Sequence, residues 1–590
     1  MGLDEKALDA PAPVRPSVRG SPARYRPAFA LLAGASLLAA LSIAPLLGSR
    51  YALQLATDIA TFVALAYSWN LISGLTGYVS FGHVSFFGIG AYATALMVLH
   101  TPLAWYLAVP VAVLFAGLAA FVLGAIMLRL RGIMFALGML GLARILAVLV
   151  SNWDFAGGAV GLTLPAELMP VPVYASMCGA AAFALLLNAL FLTRGFGLSA
   201  MSVRDDEVAA SALGVATARV KISVFVLSAL APAAVGGLVA WNRSFLDPAS
   251  AFDPTFDLQV VVYTLFGGIG TLWGPLLGTV VLMLVGEQLW AHVPELQLAL
   301  FGGLVIVVVL AFPGGMVGLA NGLGWLRRKP ILAPSAFPVS LSVKAPPPPP
   351  ESGVILEIRD LTVRFRGLVA IDRLSLHIRH GESVSILGAN GAGKTTLFNA
   401  ITGFVTPSEG TILYRNQSIV GVPAFRRSRR GIARTFQIPR LMESMTVWEN
   451  VLLASRQGRL SALPIQQTAW ALGTAGLSAK WLDFIDRLTP GQQRRLELAR
   501  ALALGPELIL LDEVMAGMTR EEQEEIRNVL RRLPEHGVAA VAGIEHVIAA
   551  IADISDRMIV LEQGKKIAEG PPAEVLRDPA VVQSYLGETL

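Results

Sequence analysis

Nine consecutive residues, Gly388-Ala389-Asn390-Gly391-Ala392-Gly393-Lys394-Thr395-Thr396, fit the spacing G-x-x-x-x-G-K-[ST]. Glycines at these positions let backbone N–H groups close around phosphate oxygens, and a helix starting at the lysine turns its positive end towards them. Lys394 is placed to reach the β and γ phosphates, and the Thr395 hydroxyl to ligate Mg²⁺. A second acidic element, Asp512-Glu513, follows the apolar run Leu508–Leu511. Phosphoryl transfer depends mainly on positioning and charge, so one acid would hold the metal and the next would orient or deprotonate the attacking water. Asp512 suits the first role and Glu513 the second.

These residues need a sheet to hold them. Val354–Phe365 and 383–387 read as strands, the second running directly into the phosphate loop. The run Leu508–Leu511 reads as a buried parallel strand, whose C-terminal end is where open α/β sheets bind ligands. The pattern predicts an α/β phosphate-loop domain over 353–590.

The rest of the chain is different in kind. Of the 590 residues, 54% are hydrophobic and only 15% charged, against about 25% charged in ordinary globular proteins. Mean hydropathy is +0.62. A spanning helix needs about 20 apolar residues, which places spans near 27–47, 52–73, 80–99, 104–128, 132–151, 171–193, 222–242, 257–273, 275–292 and 297–319. The fold class is thus multidomain: a polytopic α-helical membrane domain of about ten spans, then the α/β domain. The expected divisions are a tail at 1–26, a membrane domain at 27–330, a Pro-rich linker at 331–352 and the phosphate-loop domain at 353–590. The linker carries Pro346–Pro350 and reads as an extended tether that packs no core.

The formal net charge of +5 does not imply nucleic acid, because the basic residues cluster at the ends of apolar segments. Arg129, Arg131, Arg194, Arg204, Arg327, Arg328 and Lys329 fall on the same side as the N-terminal arginines. By the positive-inside rule, that side is cytoplasmic and both termini lie there. The single cysteine, Cys178, excludes an intrachain disulfide. Two stretches, 74–90 and 266–278, are crowded with glycine. They read either as broken helices beside a path through the membrane or as close helix packing through small residues.

Between the two phosphate elements lies Leu488-Thr489-Pro490-Gly491-Gln492. It resembles the L-S-G-G-Q signature of ATP-binding-cassette ATPases, with Thr489 keeping the hydroxyl and Pro490 replacing a glycine. Other positions match that family. Gln437 in Arg434-Thr435-Phe436-Gln437 corresponds to its glutamine loop, which contacts the metal and couples to the permease. His546 corresponds to its switch histidine at the γ phosphate, and Phe365 to the aromatic that stacks on adenine. Thr402-Gly403-Phe404, 445–450 and 585–588 narrow the resemblance to an ATPase of branched-chain amino-acid importers. In that subgroup a non-glycine residue is common at the position of Pro490. Val514 departs from the usual proline. The membrane half is similar to a permease of the same importers through 71–77, 82–91, Gly157-Gly158 with Gly161, 204–214 and 312–315. Arg204-Asp205-Asp206-Glu207 opens a stretch that resembles the coupling segment docking a permease on its ATPase.

The resemblance implies an ATP-driven importer in the bacterial cytoplasmic membrane, with ATP and Mg²⁺ as cofactors. In the family, the phosphate loop of one ATPase domain faces the signature of another. A second ATPase domain, a second permease subunit and an extracytoplasmic solute-binding protein are therefore expected partners, besides the lipid membrane. Branched-chain or related hydrophobic amino acids are the expected solutes. Amides, urea or another small solute form an alternative. An exporter, a lipid flippase or a membrane-bound ATP-dependent regulator forms a further one.

Overall fold

The computed structural model describes residues 49–165, 170–292, 302–303, 306, 310, 314–322, 334, 337–338, 353–365, 367–515, 518–533, 538–542 and 552–586. The expected tail at 1–26, the span 27–47, most of 297–319, most of the linker and His546 lie outside them.

Helices dominate the first half: α1 (Arg50–Trp69), α2 (Val84–His100), α3 (Trp105–Met127), α4 (Ile133–Ser151), α5 (Pro170–Thr193), α6 (Gly195–Asp205), α7 (Glu207–Ala212), α8 (Thr217–Asn242), α9 (Pro254–Gly267) and α10 (Gly274–His292). Five are long and apolar enough to cross a membrane: α1 with its extension to Gly74, α3, α4, α5 and α8. Helix α2 is a shorter apolar helix, as is Gly274–Gln288 within α10. The expected span 257–273 is a helix of 14 residues that stops at Gly267.

The glycine-rich stretch divides between its two readings. After α1 the backbone passes through a π-helical turn, Asn70–Gly74, and is non-helical until α2. Buried side chains satisfy the freed backbone groups, as backbone away from water requires. The Trp69 indole donates to the Ser80 carbonyl at 2.8 Å, and the Asn70 side-chain oxygen accepts from Gly270 N–H at 2.7 Å. Val84 N–H, at the start of α2, donates to the Asp257 carboxylate at 3.1 Å. Gly90 does the other job: a methyl group there would run into the Ala233 carbonyl of α8.

In the second half, β1 (Val354–Phe365) and β2 (Leu368–Arg379) form an antiparallel pair joined by β4 (Glu409–Tyr414) and β5 (Gln417–Ser418). A six-stranded sheet has the order β10-β9-β3-β8-β7-β6, from β3 (Val384–Leu387), β6 (Ile432–Arg434), β7 (Leu508–Leu511), β8 (Ala539–Ala542), β9 (Arg557–Glu562) and β10 (Lys565–Gly570). All its pairings are parallel except β9 with β10. Every residue of β3 and β7 is buried, so these runs carry no polar alternation. β1 and β7 have the limits expected from sequence.

The two halves share a continuous apolar cluster. It runs from Phe86, Phe135 and Phe225 through Leu198 of α6 to Trp448 and Val451 of α12 (Val447–Gln457). Phe337 joins it. Although inside the expected linker, its ring stands edge-on to Trp448 and Trp481 with centroids 6.2 and 5.9 Å away. An expectation based on the proline run missed this isolated aromatic, which anchors that part of the segment to the ATPase half.

Short α7 is held from the permease side by a buried pair. Lys221 Nζ donates to Glu207 Oε1 at 2.8 Å and to Tyr78 Oη at 2.9 Å, while Tyr78 Oη donates to Glu207 Oε2 at 3.0 Å. Removing one member of a buried pair leaves the other charged and unmatched, at about 3 kcal/mol. Glu207→Ala should therefore lower the thermal midpoint sharply, whereas Glu207→Ala with Lys221→Met should recover most of the loss. Equal losses in the two variants would contradict the pairing. Phe337→Ala should lower the ATPase half by about 1–2 kcal/mol of lost apolar burial, or about 3–6 °C, in a thermal scan of the full chain.

Candidate active site

The phosphate loop is shaped by the strand before it and the helix after it. Buried β3 ends at Leu387, and α11 (Lys394–Thr402) starts six residues later. Gly391 and Gly393 adopt φ of +85° and +99°, a region open to glycine at little cost. Gly393 is also pressed against the Ala370 carbonyl of β2, leaving no room for a side chain. Lys394 folds back over the loop, its ammonium donating to the carbonyls of Gly388 and, at 3.1 Å, Ala389. Burial pulls its pKa below the usual lysine value, opposed by Glu513 and Asp512. A phosphate would replace those carbonyls with charge.

Asp512 and Glu513 follow the C-terminal end of β7, one strand removed from β3 across β8. Asp512 is fixed from behind. Its N–H donates to the Thr435 hydroxyl at 2.9 Å, and Arg434 stands 3.8 Å from its carboxylate. Burial pushes its carboxyl above the ordinary range, and Arg434 pulls against that. Its Oδ1 is buried with no hydrogen-bond partner among the described residues. An orphaned, buried carboxylate oxygen behind a phosphate loop fits a divalent cation, which would supply the missing interaction. Glu513 has φ of +49°, a left-handed backbone that costs a non-glycine residue energy and concentrates at functional sites. Gln437 Nε2 donates to Glu513 Oε1 at 2.9 Å. The structure thus brings Gln437, Asp512, Glu513 and Lys394 together.

The remaining candidates lie apart or beyond reach. Phe365 ends β1 and is 45% exposed. Thr395 and Thr396 begin α11, Thr395 exposed and Thr396 half-buried. The signature residues open α13 (Pro490–Ala503). The Thr489 hydroxyl accepts from Gln492 N–H at 3.3 Å, and the Gln492 side chain accepts from Thr489 N–H at 3.1 Å. This capping box places Pro490 at the first helical position, where its missing N–H is harmless. The exchange of glycine for proline is therefore built into the helix start. Gly491 lies against the Glu522 carboxylate, so a side chain there would collide.

The loop beyond Gln437 leads to the permease. Arg440 Nη1 donates to Asp206 Oδ2 at 3.0 Å, and Ser444 donates through N–H and hydroxyl to Asp205 Oδ2 at 2.9 and 2.6 Å. Arg429 Nε donates to the Gly214 carbonyl at 2.8 Å. Asp206 also caps α7, accepting from Ala209 N–H at 2.8 Å. The four residues of the expected coupling segment divide. Asp205 and Asp206 meet the ATPase half. Arg204 and Glu207 hold the permease, Arg204 Nη1 donating to the Gly74 carbonyl at 2.8 Å. Sequence reasoning missed Thr435, Arg440, Ser444 and Lys221. Arg434 and Thr435 sit inside a motif that was recognised, but their contacts with Asp512 arise only when β6 lies beside β7.

Comparison with known proteins agrees with these observations. The family described as "ABC transporter" matches residues 371–516. "Branched-chain amino acid transport system / permease component" matches 51–309, and "Branched-chain amino acid ATP-binding cassette transporter" matches 565–589. The "High-affinity branched-chain amino acid transport ATP-binding protein LivG" of Salmonella typhimurium is 39% identical over 250 residues, 40% of this chain and 98% of the relative. The corresponding protein BraF of Pseudomonas aeruginosa is 36% identical over 252 residues, 40% of this chain and 98% of the relative. A solved structure of the ADP conformation of MJ1267, an ATP-binding cassette of an ABC transporter, is 31% identical with a TM-score of 0.37, covering 40% of this chain and all of that one. With permease and ATPase matches following each other on one polypeptide, the chain belongs to the ATP-binding cassette transporters of the branched-chain amino acid transport family.

Proposed function

We propose that this chain couples ATP hydrolysis to the import of branched-chain or related hydrophobic amino acids. The observation that carries the coupling is the loop 437–444. One end touches Glu513 through Gln437, and the other grips Asp205 and Asp206 of the permease. A movement at the γ phosphate has a short, hydrogen-bonded route to the membrane domain. The solute class is supported by the permease family match and by the names of the ATPase relatives.

In this reading Gly388–Thr396 cradle the phosphates, and Lys394 exchanges its carbonyl partners for phosphate oxygens. Phe365 stacks on adenine. Mg²⁺ bound by Thr395, Asp512 and Gln437 would neutralise the developing phosphate charge. Glu513 orients the water whose oxygen attacks the γ phosphorus as the bond to the β–γ bridging oxygen breaks. His546 contacts the γ phosphate. Leu488–Gln492 serve the site of a second ATPase domain, because in the family each phosphate loop faces the signature of another domain. A second permease subunit and an extracytoplasmic solute-binding protein complete the transporter. It sits in the bacterial cytoplasmic membrane, with the ATPase half and both termini on the cytoplasmic side.

Two measurements test this. In the assembled, reconstituted transporter, L-leucine uptake should require both ATP and the binding protein; ATP-driven flux in the outward direction would overturn the importer reading. Glu513→Gln should keep ATP binding and lose nearly all hydrolysis, because the phosphate cradle stays intact while the water loses its orienting carboxylate. Turnover near the wild-type rate would remove Glu513 from the chemistry.

A further inference from the structure

Within the apolar helices, away from their ends, the described ionisable side chains are Asp58, Arg144, Lys221, Asp257 and Glu287. Four are matched. Asp58 accepts from Gln54, Lys221 pairs with Glu207, Asp257 accepts from Val84 N–H, and Glu287 accepts from Tyr51. Arg144 is the exception. It is exposed, and no hydrogen bond or ion pair reaches it among the described residues.

Its depth makes this unusual. Helix α4 has 19 residues, Ile133–Ser151, and is apolar enough to span. Arg144 is two residues past its midpoint at Leu142, about 3 Å along the axis at 1.5 Å per residue. An arginine near a helix end can extend its head to the membrane surface. From the middle, the surface is about 15 Å away in each direction, farther than the side chain extends. An unpaired guanidinium facing lipid at that depth is strongly disfavoured, and such residues face a bundle interior or a water-filled cavity. This face of α4 is therefore not a lipid face in the working transporter.

The neighbouring side chains narrow what meets it. Leu137, Ile145, Val148 and Leu149 are all exposed around Arg144. Gly141, one turn before it, has no atom within 4 Å of where a Cβ would stand. A purely aqueous ion path would be lined with polar groups. This face instead offers one fork of donors in an aliphatic surround, with an opening beside it. That combination complements a solute carrying a carboxylate and a branched aliphatic side chain. The carboxylate can accept two parallel N–H bonds from the guanidinium, and the side chain can lie on leucine and valine.

We propose that α4 lines the translocation path at the seam with the second permease subunit, and that Arg144 binds the carboxylate of the passing amino acid. The proposal rests on the amino-acid reading above and adds a contact point to it. The contact must be exchangeable, since a solute that binds too firmly in a path does not leave it. A guanidinium open on one side, with no second cation beside it, meets that condition.

The test uses the full transporter with its second permease, second ATPase domain and binding protein, reconstituted in vesicles. Wild type, Arg144→Leu and Arg144→Lys are compared for subunit co-purification, binding-protein-stimulated ATPase and L-leucine moved per ATP hydrolysed. Arg144→Leu should assemble and hydrolyse ATP normally, because leucine suits either a lipid or a protein seam. Its leucine moved per ATP should fall by about tenfold or more, the loss expected for one charge-assisted pair. Arg144→Lys should retain more transport than Arg144→Leu, because it keeps the charge while losing the planar fork. Loss of the second permease from purified Arg144→Leu would overturn the proposal, assigning the anion to that subunit instead. Unchanged leucine per ATP in Arg144→Leu would overturn it as well. No leucine uptake by the wild-type complex would remove the amino-acid reading and this assignment together. Normal wild-type uptake with an unaffected variant would remove this assignment alone.

Discussion

The contact between Asp205 and Ser444 organises the rest of the molecule. A carboxylate accepting two bonds from one serine, through N–H and hydroxyl, has little freedom to slide. Immediately before it, Arg204 reaches the Gly74 carbonyl, where the first helix breaks. Immediately after it, Asp206 caps α7 and Glu207 binds Lys221 of α8. Four consecutive residues therefore alternate between two partners, with the middle pair on the ATPase and the outer pair in the permease. A displacement of Ser444 must load the break after α1 and the foot of α8.

The ATPase side of that contact is equally constrained. Gln437 and Ser444 belong to one loop, and Gln437 bonds to Glu513. Glu513 stands in a left-handed backbone conformation just past a strand with no exposed residue. Rigid β7 behind and an adaptable loop in front leave the loop as the part that yields when the charge at the phosphates changes. The apolar cluster running from Phe225 to Trp448 keeps the halves from separating while this happens. Phe337 adds to that cluster from the linker side.

Much of this was legible in the sequence, for identifiable reasons. The phosphate loop is legible because its glycines and lysine have no substitute chemistry at that spacing. The strand before Asp512 is legible because a buried parallel strand must be apolar throughout. Arg204–Glu207 stood out because a dense charge cluster interrupts apolar sequence. What escaped notice depends on distance in the chain. Lys221 reads as an ordinary charge near a helix start until it is seen against Glu207 and Tyr78. Pro490 reads as a departure until the Thr489–Gln492 capping box shows that a helix begins there. Phe337 was hidden because linker composition describes the average of a segment and not its one aromatic residue. The glycine-rich stretch supported two readings because the same residue serves a break at Gly74 and a close approach at Gly90.

The central claim is that the Asp205–Ser444 contact transmits force and is more than adhesion between the halves. The most direct measurement is a double-mutant cycle of Asp205→Ala and Ser444→Ala in the reconstituted transporter, read as solute moved per ATP hydrolysed. The account predicts that Asp205→Ala keeps basal ATPase activity and loses transport per ATP, and that adding Ser444→Ala costs nothing further, because both act through one contact. Unchanged transport per ATP in Asp205→Ala, or losses that simply multiply in the double variant, would contradict it.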